Sequence, residues 1–347
     1  MTSRTYRNKQ ENIYKEKISL LIKGLPLFAE SFFNGFLVSG KAPSTVCEYA
    51  KDIKKLFDYL EERKNIDDIR DLPVSYLEEI TIDDLTDFLL SSNIGEKARA
   101  RRTASIRKFF MYYVKRSDIK ENPALLLDTV KIHEKEIITM NGNEVVNILD
   151  MVTKMTGKDE NGNIIKKREK TITRDYALLV TLLGTGMRVS EMLGLDLTDI
   201  DMKNKCFHIV RKGNKEDRVY FGEEVEKALK MYLENGRDKI GAGKEEPNAL
   251  FISLQHKRIT TRSVDRIVKE FSRAAGLGEH ITPHKFRSTY GTNLYNATGD
   301  IYLVADALGH SSVETTRKRY AKISEPHKRL AADISSNLFL DDQDHGE

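Results

Sequence analysis

Apolar residues in the first 115 or so positions recur at three- and four-residue intervals, and that period constrains the fold more than any other feature of the chain. Leu27, Phe28, Phe32, Phe33, Phe36 and Leu37 form one helical stripe, over residues 25–37. Val46, Tyr49, Ile53, Leu56, Phe57 and Leu60 form a second after a Gly40-Lys-Ala-Pro43 break, and Thr45-x-x-Glu48 is expected to open it as a capping box. A shorter helix is expected over 82–90, between Thr81 and the polar stop from Ser91 to Gly95. The fourth runs from Glu96 to about Arg116, with Ile106, Phe109, Phe110, Tyr113 and Val114 turned inward. Asn122-Pro-Ala124 closes the run, because proline disfavours helix at the residue before it. By itself this pattern describes a generic four-helix bundle.

A chain of 347 residues is long for one domain, so a second is expected downstream. Residues 1–24 are polar and read as a flexible arm or loosely docked helix, and 125–137 as a charged linker. The rest divides into a domain over 138–323 and a tail over 324–347. The second domain opens with a helix over 144–154, then a turn-rich polar insert from Gly157 that reads as an exposed hairpin or loop. Cys206–Val210 and Arg218–Phe221 around Gly213-Asn214 signal a β-hairpin, and Leu250–Ile252 a short strand. Basic helix 261–275 and further helices through Tyr320 follow, so the fold class is mainly α with a small β-sheet.

Hydrophobic content of 39% with 32% charge describes a soluble chain, and no apolar run approaches the roughly 20 residues of a membrane span. The N-terminus carries no secretory signal, and a cytoplasmic location is expected. Cys47 and Cys206 stand alone without CxxC or CxxH spacing, which suggests a reducing compartment with neither a disulfide nor a metal site. Net charge is only +4, but its distribution is uneven. Lys97, Arg99, Arg101, Arg102 and Arg107 crowd one segment; Lys257, Arg258, Arg262 and Arg266 crowd another; Lys215 follows the hairpin turn. Such clusters on a nearly balanced chain point to a local polyanion-binding face.

The candidate chemistry lies in the second half. Arg188 sits in Gly184-Thr-Gly-Met-Arg-Val-Ser-Glu191, a glycine-bracketed turn feeding a helix. His284 and Arg287 are three apart, so a helix presents both to one side. Leu308-Gly-His310 precedes Tyr320, and Lys212 lies at the hairpin tip. Two guanidiniums can clamp a phosphate, two histidines can orient groups and move protons, and a tyrosine hydroxyl can attack phosphorus. There is no phosphate-binding Gly-x-x-x-x-Gly-Lys-Ser/Thr loop and no carboxylate cluster for paired magnesium ions, so no cofactor or metal is expected.

Together, in this order, these phrases resemble the tyrosine recombinases, the phage integrases and Xer-type enzymes. The resemblance spans most of the chain, from about Leu25 onward. It implies that residues 25–124 form a helical core-binding, DNA-binding domain and 138–323 the catalytic domain. It implies that Arg188 and Arg287 hold the non-bridging oxygens of the scissile phosphate, with His284 assisting proton transfer and His310 placed near the phosphate. It further implies that Lys212 protonates the departing 5′-oxygen and that Tyr320 is the nucleophile. The usual spacing from that histidine to the tyrosine is nine residues, whereas here it is ten. The implied partner is double-stranded DNA with inverted half-sites, bound by a homotetramer, with related recombinases or accessory factors as further candidates. The apolar positions Leu330, Ile334, Leu338 and Leu340 resemble a segment that docks on a neighbouring protomer. Two other readings are a type IB topoisomerase-like enzyme and a non-catalytic DNA-binding accessory protein.

Overall fold

The computed structural model describes residues 3–91, 93–133, 138–154, 156–158, 164–166, 169–211, 215–278, 280–310 and 312–320. The chain divides into two compact units, Arg7–Lys135 and Glu136–Glu347 with Met1–Tyr6. Among the described residues, no helix is long and apolar enough to cross a membrane.

Five helices occupy the first part of the chain: α1 (Ser3–Ile22), α2 (Ala29–Val38), α3 (Pro43–Lys64), α4 (Ile82–Ser91) and α5 (Glu96–Lys115). Residues 3–22 are therefore helix, not a flexible arm, and Ile18 is buried in the core with Tyr14, Leu21 and Ile22 packed against it. The apolar side chains on this largely polar stretch were too sparse to reveal it from periodicity. The capping box also fails: the N-cap of α3 is Ala42, three residues earlier, with Pro43 in the first turn, and Glu48 binds Lys51 instead at 2.7 Å. Proline's fixed φ suits a first helical turn, where its missing N–H costs nothing.

The centre of this unit is aromatic. Phe109 of α5 meets Phe28, Phe32, Phe57 and Tyr113 at centroid separations of 6.3, 5.1, 5.9 and 5.2 Å, mostly edge to face. The Tyr113 hydroxyl donates to the Phe28 carbonyl at 2.9 Å, so the one polar atom among these rings is satisfied. Replacing Phe109 by Ala is expected to destabilise the unit by about 3–5 kcal/mol. A urea titration followed by far-ultraviolet circular dichroism measures this, and an unchanged midpoint would mean the ring cluster is not the core.

The second unit opens with α6 (Gly142–Lys154), whose first turn is closed by reciprocal bonds between Asn141 and Glu144. The insert that follows pairs β1 (Thr156–Lys158) with antiparallel β2 (Ile164–Lys166), as a hairpin. Next come the buried α7 (Ile172–Thr185) and the short α8 (Val189–Leu193). The three-stranded antiparallel sheet has order β3 (Ile200–Asp201), β4 (Cys206–Arg211), β5 (Lys215–Tyr220). Six α-helices follow among the described residues: α9 (Glu223–Asn235), α10 (Arg237–Ile240), α11 (Thr261–Ala274), α12 (Pro283–Thr298), α13 (Ile301–Leu308) and α14 (Val313–Tyr320).

The core packs α7, α9 and α11 around Leu178, Leu182, Phe207, Leu229, Phe251 and Phe271. Leu250–Ile252 is not a strand; its pairing is reduced to single bridges, Asp196 with Ala249 and Ile252 with Arg258. The apolar residues there are buried without a neighbouring strand, a distinction hydrophobicity alone does not encode.

Candidate active site

Arg188, Arg287, His284 and His310 come from three separate stretches of the chain and line one open cleft of about 340 Å³, together with Met187, Thr315 and Arg319. The positioning starts at the end of α7. Gly186 takes φ +59°, and a Cβ there would lie 2.3 Å from the Tyr290 ring, so the turn requires glycine on two counts. The turn delivers Arg188 to the N-cap of α8, where its backbone N–H donates to Glu191 at 2.8 Å. Its guanidinium donates to the same carboxylate at 2.7 Å and to the Gly309 carbonyl at 3.2 Å.

Arg287 sits one turn into α12 and is only 4% exposed. Its guanidinium donates to the Gly186 carbonyl at 2.7 Å and to the Leu308 carbonyl. Burial, then the neighbouring Arg188, push its pKa down to about 10, while Glu191 acts in the opposite direction. It therefore stays charged at neutral pH, in a place where charge is expensive and its bonding partners among the described residues are uncharged carbonyls.

His310 follows the αL residue Gly309 that ends α13, and its Nδ1 lies 2.7 Å from the Thr316 hydroxyl. Burial first, then Arg287, Arg188, Arg319 and Arg211, push its pKa down to about 4. The imidazole is thus neutral at physiological pH. His284 lies in the first turn of α12, and its Nε2 accepts from Arg319 at 3.3 Å.

Tyr320 ends α14 and is 1% exposed. It packs with Val304 and Leu308, and Gly291 is what admits it: a Cβ there would stand 2.7 Å from the tyrosine Cζ and 2.8 Å from its oxygen. Burial raises the phenol pKa; Arg287, Arg319 and a hydrogen bond with Ser288 work against that. The hydroxyl is thus within the electrostatic reach of Arg287 but does not line the cleft. Lys212 and the tail over 324–347 lie outside the described residues.

Two arginines at this site escaped the sequence reading. Arg211, at the end of β4, is buried, pairs with Asp217, and donates to the carbonyls of Leu308 at 2.9 Å and Ala307 at 3.4 Å. Strand alternation was the available signal, since it places Arg211 on the inward face with Phe207 and Ile209. Arg319 enters the cleft from α14, and its adjacency to Tyr320 was the only hint.

The basic clusters separate into two groups. Arg102 is buried, 3.6 Å from Asp52 and stacked over Phe88, so it holds α5 to its neighbours and does not face a polyanion. Arg258 is likewise buried, donating to the carbonyls of Leu193 and Leu195, both at 2.8 Å, and paired with Asp196. Arg107 donates to the carbonyls of Ala124 and Leu127, and Arg101 binds Asp52 at 2.6 Å. Arg99 is half-buried, and Lys257 is exposed near Glu245. Lys97, Lys215, Arg262 and Arg266 face solvent, the last two on the outer stripe of α11 with Lys269 and Arg273.

Residues 140–327 match the family described as phage integrase family, and residues 29–117 the phage integrase N-terminal SAM-like domain. The chain belongs to the phage integrase family, the tyrosine recombinases. It is 32% identical over 298 residues to tyrosine recombinase XerC of Corynebacterium glutamicum, covering 85% of each chain. It is 27% identical over 292 residues to tyrosine recombinase XerD of Staphylococcus epidermidis, covering 84% of this chain and 91% of that one. Its fold is that of the XerH site-specific recombinase solved bound to difH substrate in a pre-cleavage complex, with TM-score 0.62, 23% identity and coverage of 83% and 79%.

The low pKa of His310 has a measurable consequence. The unfolded imidazole takes up a proton below about pH 6.5 while the folded one stays neutral to about 4, so this group removes stability as pH falls between those values. His310→Gln should therefore lose less stability than the unsubstituted chain from pH 6.5 to 4.5. Denaturant titrations at both pH values test it, and parallel losses in the two proteins would refute the assignment.

Proposed function

We propose that the chain is a site-specific DNA recombinase that cuts and rejoins DNA through a 3′-phosphotyrosyl intermediate. The observation that carries this reading is the buried, charged Arg287, held by two carbonyls beside Arg188 and opening on a cleft with two histidines. A guanidinium in that setting lacks an anion, and a phosphodiester supplies one in the bidentate geometry the planar fork favours.

Attack on phosphorus adds a second negative charge in the pentavalent transition state, and fixed guanidiniums stabilise it more than the ground state. Arg188 and Arg287 take that role. The Tyr320 phenol must lose its proton, and His284 is assigned to that transfer. Lys212 is assigned to protonating the 5′-oxygen that leaves. The phosphotyrosyl bond conserves the energy of the broken phosphodiester, so rejoining needs no nucleotide. In the resting chain Arg319 occupies the cleft while the next residue, Tyr320, is packed away from it. Cleavage then requires α14 to shift so that the tyrosine replaces the arginine at the phosphate.

Lys97, Lys215, Lys257, Arg262 and Arg266 are assigned to DNA contact, with the duplex carrying inverted half-sites. Four protomers are assigned to two such sites, exchanging strands through a Holliday junction in the cytoplasm, with segment 324–347 docking on a neighbour. Relatives named XerC and XerD, 32% and 27% identical, favour this over a topoisomerase-like or non-catalytic role.

Incubation with a nicked suicide substrate, followed by denaturing electrophoresis, tests the proposal. An adduct resistant to denaturant is expected, absent from Tyr320→Phe although that variant still binds DNA. An adduct formed by Tyr320→Phe would move the nucleophile elsewhere. Arg287→Lys should slow cleavage by on the order of a hundredfold or more, since an ammonium cannot reproduce the fork. Cleavage within a few-fold of the unsubstituted rate would reduce Arg287 to a structural role.

A further inference from the structure

The solvent side of the three-stranded sheet carries a group of side chains that strand exchange does not use. Strand β4 alternates, with Phe207, Ile209 and Arg211 turned to the core and Cys206 and His208 to the opposite face. The register pairs Cys206 with Asp201 on β3. A thiol, an imidazole and a carboxylate therefore converge, and their ligand atoms all lie within 4.8 Å of one another. They are graded in depth: Cys206 is buried, Asp201 half-buried and His208 exposed, leaving one side open for entry.

The surroundings orient this set. The Asp201 carboxylate accepts from the Asn204 backbone N–H at 2.9 Å and from its side-chain amide at 2.7 Å, and also interacts with the Lys203 backbone N–H, which leaves acceptor capacity on the carboxylate. Lys205, the residue before Cys206, is drawn to Glu226 at 2.9 Å. On β5, Tyr220 lies opposite Cys206 and Arg218 opposite His208. The arginine opposes any cation, so only a metal that bonds sulfur and nitrogen strongly would overcome it. Hard cations such as magnesium or calcium need more oxygen donors than this set provides.

We propose that Asp201, Cys206 and His208 form a zinc-binding site, with water as the fourth ligand. Zinc accepts this mixture of sulfur, nitrogen and oxygen, with bonds of about 2.0–2.3 Å that put donors roughly 3.4–3.7 Å apart in a tetrahedron. The group needs to close by about 1 Å, within the reach of side-chain rotation at the exposed His208. Binding releases the Cys206 thiol proton to solvent, and thiolate and carboxylate together balance the charge of the ion. The ion would clamp β3 to β4, the strand that carries Arg211, without touching the phosphate cleft.

Cobalt(II) titration of the full chain, purified free of metal, tests the site. One equivalent is expected to produce a thiolate-to-cobalt charge-transfer band with visible absorption of tetrahedral intensity, both displaced by zinc. Cys47→Ser should keep the band and Cys206→Ser should lose it. His208→Ala and Asp201→Asn, at the less buried positions, should each weaken zinc binding by on the order of tenfold or more. No thiolate band in the unsubstituted chain, a band that survives Cys206→Ser, or unchanged zinc affinity in both milder variants would each overturn the proposal.

Discussion

The C-terminal carbonyls of α13 hold the site together. Ala307, Leu308 and Gly309 receive three guanidiniums, from Arg211 on β4, Arg287 on α12 and Arg188 after α7. A helix C-terminus concentrates partial negative charge on carbonyls that lack intrahelical partners, and here it offsets a concentration of cations that would otherwise repel one another. Gly309 makes the convergence sterically possible. It takes φ +59°, and a Cβ there would fall within 1.7 Å of an Arg211 nitrogen. Glu191 and Asp217 pair with Arg188 and Arg211, whereas the partners of Arg287 among the described residues are carbonyls, whose partial charges do not neutralise a full one.

That incomplete neutralisation shapes the electrostatics around it. His310 stays neutral because it is buried and shares its surroundings with four arginines, and Arg287 is less basic than usual because burial and Arg188 both work against its charge. Tyr320 stands outside the arrangement, packed on Gly291 and Leu308, with Arg319 in the cleft instead. The arginines and histidines already share the cleft, and Tyr320 is packed one residue away from the arginine that enters it.

Burial sorts the basic residues into different jobs. Arg102 and Arg258 are sequence neighbours of Arg101 and Lys257, yet both are sealed in the interior, beside Asp52 and Asp196. A buried ion pair of this kind is costly to break, since removing one partner leaves the other charge unmatched. Arg262, Arg266, Lys269 and Arg273 instead form an exposed stripe on α11, with Asp265 and Glu270 beside them.

The sequence by itself determined the helical character of both units, the β4–β5 hairpin and the order of the motif residues. These follow from period, turn chemistry and local spacing, which are properties of neighbouring residues. It also singled out Arg188, His284, Arg287 and His310, which do share one cleft. Only the tertiary structure decided the helix over Ser3–Ile22, the buried roles of Arg102, Arg211 and Arg258, and the packing of Tyr320 away from the cleft. The meeting of Asp201 with Cys206 and His208 belongs with these, because it depends on the register between two strands and not on spacing along one. In each case the deciding partner lies far away in sequence or across a strand pairing, and burial and charge pairing are settled only when the chain brings the two together.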